Sequence, residues 1–279
     1  MTLSRFTSWL LIGPALALLG LVFLFPLVGF LTGALREIGG WAEIWDQVEA
    51  VLLSGAMRRS LLVTFWISLG TTLSVLAIGY PLAYALVRAR GVAFGMIIGC
   101  IILPYFTSII VRTYAWIVLL GRTGIINDAL LRLGLIDAPV QLLYNRFAVT
   151  VGMSYLLLPY MVLTLYAAMR SVDQGLLQAA AGMGASRLRI FLRVFFPLTL
   201  HGVLAGVLIV FILAVGFFVT PALMGAPSDM MIGMLIERQV ELANNWPVAA
   251  VMSLVLLVVT LLLYAVYTRF ADTRRGFLA

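Results

Sequence analysis

Six stretches of the sequence, near residues 8–32, 61–87, 92–120, 147–169, 198–223 and 247–268, run the length of a bilayer core without one Asp or Glu. A backbone crossing hydrocarbon must satisfy its N–H and C=O groups internally, and isolated apolar runs of this length do so as helices. The pattern therefore predicts an all-α integral membrane protein with six transmembrane helices. Composition points the same way: 63% of the 279 residues are hydrophobic, 10% are charged and the mean hydropathy is +1.13, outside the range of a water-soluble domain. Six spans of roughly 23 residues take about half of the chain. The remainder suffices for loops, so residues 1–279 are expected to form one transmembrane domain. The first run follows Arg5, and its apolar part of roughly 24 residues exceeds the core of a secretory signal, so it reads as a retained span.

All 18 basic residues are arginine. A P-loop needs a lysine to reach the terminal phosphates, and Schiff-base or pyridoxal chemistry needs a lysine amine, so any ATP must be hydrolysed by another polypeptide. Cys100 and His201 are the only residues of their types, which excludes an intramolecular disulfide and a Cys or His metal cluster. With no clustered acids either, a membrane enzyme has few routes to acid/base, metal or covalent catalysis. No catalytic residue, metal site, cofactor or nucleic-acid partner is expected. Carriers driven by protons or sodium usually expose acids at membrane depth, so their absence from the spans argues against secondary transport. A stand-alone channel or carrier is the remaining rival, separable by measuring flux through the purified chain.

Charge sets the orientation. With the amino terminus in the cytoplasm, the inner segments carry Arg5, Arg88, Arg90, Arg170, Arg187, Arg189, Arg193, Arg269, Arg274 and Arg275 against Asp173 and Asp272, while the outer segments carry eight arginines against nine acids. The basic turn at Arg88 and Arg90 and the basic carboxyl terminus, both close to span ends, favour cytoplasmic termini. In the first outer connection Trp41, Trp45, Val48 and Leu52 recur at helical spacing with Glu43, Asp46 and Glu49 on another face. That suits a helix lying on the membrane surface or one packed on the protein's own outer face. The second, Ile125 to Leu133, reads as a short helix stopped by Gly134. The third holds Met230, Met231 and Met234 and ends at Trp246, which suits the interface.

The most informative segment lies between spans four and five. Ser171 with Gln174 fits a capping box, which predicts a helix beginning near Val172 and running through Gln178, Ala179 and Ala180. Gly182 and Gly184 break it. After Ala185, Ser186 can cap a second helix whose Leu188, Phe191, Leu192 and Phe195 form an apolar face opposite Arg189 and Arg193, before Pro197 opens the next span. The residues thus describe two short helices joined by a glycine elbow, lined with small side chains that let another surface approach.

At these positions, Gln178-Ala179-Ala180, Gly184-Ala185-Ser186, Phe191 and Pro197, the sequence resembles the EAA loop of membrane subunits of ABC importers. The resemblance covers nearly the whole chain and is closest to the spermidine/putrescine permease branch, through Arg112 to Trp116, Gly134 to Asp137, Gly216 to Gly225 and Asn245-Trp246-Pro247. It implies a type I ABC importer permease fold in the bacterial inner membrane. It also implies two ATPase subunits that bind ATP and magnesium, a second homologous permease and a periplasmic solute-binding protein as partners. The loop would then be the coupling element: ATP binding draws two such loops together and opens the cavity outward, and hydrolysis resets it. One position departs from the pattern. Gln178 stands where the family has glutamate, keeping an acceptor oxygen without the charge.

Without carboxylates in the spans, a polycationic solute must be met by aromatic faces and carbonyl oxygens. Tyr105, Tyr114 and Trp116 in span three and Phe217, Phe218 and Thr220 in span five are the candidates, beside the alternative that such aromatics are packing or interfacial anchors. Gly216 and Pro221 interrupt span five and could free backbone carbonyls. Arg112 would repel a polycation in the cavity and is expected near the outer interface, bonded to a carbonyl or to the binding protein. His201 reads as a structural hydrogen-bonding residue. Relatives of this type carry polyamines, ferric iron, thiamine or phosphonates, a choice made mainly by the binding protein.

Overall fold

The computed structural model describes residues 5–275, and side chains for 12–265, 268 and 269. Arg5, Asp272, Arg274 and Arg275, which entered the orientation, lie outside the described side chains. Among the described residues six helices are long and apolar enough to cross a membrane: Ile12–Arg36, Gly55–Arg88, Ile109–Arg132, Arg146–Arg170, Arg187–Val215 and Trp246–Ala265. The chain divides into two compact units, Met1–Arg58 with Ile236–Val258, and Arg59–Leu235 with Val259–Ala279.

In the first unit, α1 (Arg5–Leu19) continues through a π turn, Gly20–Leu24, into α2 (Phe25–Arg36). Pro26 explains the wide turn: it has no N–H to give and its ring crowds the preceding carbonyl, so the helix loosens by one residue rather than breaking. The amphipathic connection is α3 (Trp41–Leu53), whose first turn is held by the Glu43 carboxylate accepting the Gly40 N–H. Trp41 and Trp45 are exposed, at 81% and 69%. Trp246, the first residue of α13 (Trp246–Arg275), meets Phe30 edge-on with ring centroids 5.9 Å apart.

The second unit holds the residues considered below, beginning in α4 (Gly55–Arg88). The third apolar run departs from expectation. Instead of one helix over 92–120, α5 (Gly91–Ile102) leads into a 3-10 turn, Leu103–Phe106, then extended backbone at Thr107, then α6 (Ile109–Leu120). Pro104 is the cause, since it cannot donate to the preceding turn. Its carbonyl instead accepts both the Thr107 amide at 3.1 Å and the Thr107 hydroxyl at 2.7 Å, which closes the turn. A short connection then leads to α7 (Ile125–Arg132).

The core of this unit is built on α8 (Arg146–Arg170). Met153, Leu157, Met161, Leu165 and Met169 recur every four residues and are essentially inaccessible, forming one apolar stripe. Against it packs α11 (Phe196–Val215), where small residues permit close approach: a Cβ on Gly202 would overlap the Cβ of Ala168, and one on Gly206 would lie 2.6 Å from Met161 Sδ. Polar links between distant parts of the chain complete it. The Tyr80 and Thr199 hydroxyls are 3.0 Å apart, Thr64 Oγ1 accepts the Ile232 N–H at 2.8 Å, and Arg146 pairs with nearly buried Asp229 at 2.7 Å.

Candidate functional site

The elbow between α8 and α11 is built by local signals that differ in part from those expected. Ser171 ends α8, its hydroxyl donating to the Ala168 carbonyl at 2.8 Å, and does not open the next helix. Asp173 does: it is extended, and its carboxylate accepts the Gly175 N–H at 2.8 Å. Helix α9 therefore runs Gln174–Gly182 rather than from near Val172, whose side chain is buried as the chain turns. A charged acceptor at the amino end outcompetes the serine because it also meets the helix dipole.

At the other end of α9, Gly184 N–H reaches the Ala181 carbonyl at 3.0 Å and Ala185 N–H reaches that of Ala180 at 3.1 Å. This is a Schellman closure, and it puts Gly184 at φ +78, where a Cβ is disfavoured. Ser186 then caps α10 (Arg187–Ile190), accepting the Arg189 N–H at 3.4 Å. Pro197 does not open the next span. The second helix is continuous from Arg187 to Val215, because a π turn, Phe191–Phe195, absorbs Pro197 as the one at Gly20–Leu24 absorbs Pro26.

Exposure divides the elbow into an anchored and a free part. Ala180 is buried and Ala185 half-buried, whereas Gln178, Ala179, Gly184, Ser186, Arg189, Arg193 and Pro197 face outward. The apolar face expected for the second helix splits. Phe195 is buried and Phe191 half-buried, both edge-on to Tyr84 at 5.4 and 5.5 Å, while Leu188 and Leu192 stay exposed with Leu176 and with Met183, which is 83% exposed. Large apolar side chains kept in the open on a short capped turn suit a partner surface.

Among the residues proposed for a solute path, Tyr105 sits on the 3-10 turn with its hydroxyl 2.7 Å from that of Tyr160. It borders a mostly apolar cavity of about 290 Å³ with Cys100, Tyr155 and Arg112. Trp116 lines a separate cavity of about 360 Å³ and meets Tyr155 edge-on at 5.7 Å; Tyr114 is exposed on α6. The chain between α11 and α12 (Val219–Met224) is unwound at Phe217 and Phe218, as Gly216 and Pro221 suggested. Thr220 is fully buried with its hydroxyl 3.2 Å from that of Thr113, so it locks α12 to α6 and reaches neither cavity.

Of the two partners expected for Arg112, a carbonyl or the binding protein, the structure bears only on the first. Arg112 is bonded to no carbonyl through its side chain: Nε is buried without a hydrogen-bond partner, and the guanidinium lies 5.9 Å from the centre of the Tyr105 ring. His201 is exposed on α11. Sequence reasoning did not identify Asn127, which is fully buried and donates to the Gly121 and Val140 carbonyls at 3.0 Å while accepting the Val140 N–H at 2.9 Å. Only its place on the apolar side of a short helix could have marked it.

The family described as the binding-protein-dependent transport system inner membrane component matches residues 50–276. The chain belongs to that family. It is therefore a multi-pass inner-membrane permease subunit of an ABC importer and not an enzyme. The permease is 36% identical over 218 residues to the spermidine/putrescine transport system permease protein PotB of Escherichia coli (strain K12), covering 78% of this chain and 79% of the relative. To PotB of Salmonella typhimurium (strain SL1344) it is 32% identical over 256 residues, covering 92% and 86%. Its fold resembles that of a bacterial alginate ABC transporter crystallised with an alginate pentasaccharide-bound periplasmic protein, with a TM-score of 0.76 at 19% identity over 95% of this chain and 94% of the other.

Proposed function

We propose that this permease forms half of an ATP-driven importer of polyamines, spermidine or putrescine, with a second homologous permease, two ATPase subunits that bind ATP and magnesium, and a periplasmic binding protein. Both termini face the cytoplasm. The elbow at 170–197 is the socket through which the ATPase acts. The observation that carries the coupling role is the outward-facing, alanine-lined turn at Gly184, flanked by exposed Met183 and Leu188. The polyamine cargo is supported by the PotB relatives and by aromatic faces at Tyr105, Tyr114, Trp116, Phe217 and Phe218.

Labelled spermidine uptake into proteoliposomes tests this. The reconstituted set of partners should import with ATP, the chain alone should pass nothing, and Gly184→Val should abolish uptake or strip the ATPase from the complex. Spermidine uptake by the chain alone, or wild-type uptake and ATPase binding in the variant, tells against the assignment.

One observation favours a second reading. Arg112 leaves an unpaired guanidinium donor beside the Tyr105 and Tyr155 cavity, where it repels a polycation and suits an anionic small solute such as a phosphonate. In the same vesicles Arg112→Gln should leave spermidine transport intact or improve it if polyamines are the cargo, and should remove uptake of an anionic cargo.

A further inference from the structure

The carboxyl end of α4, Arg90 in the turn that follows it and the elbow line an open cavity of about 800 Å³ bordered by Arg88, Arg90, Arg187 and Gln178, all four exposed. Its floor is aromatic. Tyr84, Phe191 and Phe195 pack together at 5.4 to 5.9 Å, and the Arg88 guanidinium carbon stands 4.1 Å over the Tyr84 ring. No carboxylate lines the cavity, and among the described residues none of the three arginines has an ion pair.

Three unneutralised guanidinium groups sharing one recess repel one another, and a phosphate relieves that repulsion while matching their forked donors. The location selects the source of the phosphate. Arg88 is the last residue of the helix Gly55–Arg88 and Arg187 the first of the helix Arg187–Val215, so the charges stand at the ends of two helices long and apolar enough to cross a membrane, within reach of phospholipid headgroups. The aromatic floor gives the glycerol and upper acyl carbons an apolar surface. Gln178 adds hydrogen-bonding capacity without the negative charge that would neutralise the arginines from within.

We propose that this cavity binds the phosphate of an anionic phospholipid of the inner leaflet, held by Arg88, Arg90 and Arg187 beside the coupling elbow. The proposal rests on the reading that places the elbow on the cytoplasmic face.

The test uses the full chain purified with its ATPase and partner permease in mild detergent, titrated with phosphatidylglycerol or phosphatidylcholine, the adducts being counted by native mass spectrometry. Phosphatidylglycerol should be retained preferentially, and Arg90→Gln and Arg187→Gln should each lower its retention roughly fivefold. Gln178→Glu removes no arginine and no hydrogen bond of the structure, so it keeps the test open should an arginine variant fold poorly. It should lower retention by at least as much. Equal retention of the two lipids, or undiminished preference in Gln178→Glu, overturns the proposal. Displacement of the lipid by millimolar inorganic phosphate assigns the site to a soluble anion and overturns the lipid source. Loss of the ATPase from the arginine variants with lipid retention unchanged assigns the arginines to a partner carboxylate and also overturns it. If the wild-type chain purifies without an ATPase, the lipid titration is read on the chain alone, and only the coupling role is in question.

Discussion

Two loops at opposite ends of α8 end a short helix with the same turn and use it differently. In the loop before α8, Gly134 at φ +68 sends its N–H to Leu131 at 3.0 Å, and Leu135 sends its own to Leu130 at 3.0 Å. In the elbow after α8, Gly184 at φ +78 does the same with Ala181, and Ala185 with Ala180. The 25 residues of α8 span about 37 Å, so the two turns lie on opposite sides of a membrane. The first is clamped from within: buried Asn127 ties the start of α7 to Val140, thirteen residues on. The elbow has no such clamp. Its helices are held by end caps and by Phe191 and Phe195 packed on Tyr84, and it leaves Met183 and Leu188 in the open, as the first loop leaves Leu133 and Leu135. Identical backbone chemistry thus serves a loop clamped by a buried amide and an open one that, among the described residues, has no counterpart to Asn127, although both leave large apolar side chains exposed.

Breaking the open loop should have the largest functional effect with the least structural one. Replacing Met183 and Leu188 together with glutamate removes little internal contact, since both are mostly exposed, so the thermal midpoint should reflect a change below about 0.5 kcal/mol. ATPase co-purification and spermidine uptake should nevertheless be lost. Retained ATPase binding in that variant would show that the exposed apolar residues are not the docking surface.

Asn127→Ala should show the opposite behaviour. It strands the Val140 N–H and two carbonyls, at a cost of about 2 kcal/mol. Stability measured by thermal unfolding in detergent should fall, while ATPase binding per folded molecule stays unchanged.

The two glycines make the tightest pair. Gly134→Ala and Gly184→Ala meet open space for a Cβ, so each should cost about 1 to 2 kcal/mol in backbone strain alone. Only the change at Gly184 should lower uptake relative to ATP hydrolysed. Equal uptake defects in both would erase the distinction between the loops.

Smallest of all should be the caps. Asp173→Ala should cost about 1 kcal/mol, and Ser186→Ala less, because its bond to Arg189 is long at 3.4 Å. Hydrogen exchange at the amides of α9 and α10 would rank them.

Both glycine turns were legible in the sequence, since a left-handed position after a helical pattern demands glycine and the signal lies within a few residues. The pair of helices around Gly184 was read correctly in outline, yet Ser171 was assigned the capping role that belongs to Asp173. Two capping residues lay within one turn, and the Asp173 carboxylate, which also meets the helix dipole, takes the cap while Val172 is buried as the chain turns. The single helix expected over 92–120 failed at Pro104, because hydropathy marks what can sit in lipid and not where the backbone is interrupted. Pro197 failed in the other direction. A proline normally marks a helix boundary, but a π turn let this one pass.

The sequence by itself determined the apolar helices, apart from the break at Pro104, and the elbow, because each follows from composition or from neighbours a few residues apart. Tertiary structure decided which polar groups are paired and which left open. Thr220 is consumed by Thr113, 107 residues away, whereas Arg112 keeps an unpaired donor, and Arg88, Arg90 and Arg187 meet in one recess. Those outcomes depend on how helices distant in the chain align side by side, and the free energy of pairing or isolating a polar group at that depth is set by the neighbour across the interface rather than the neighbour along the chain.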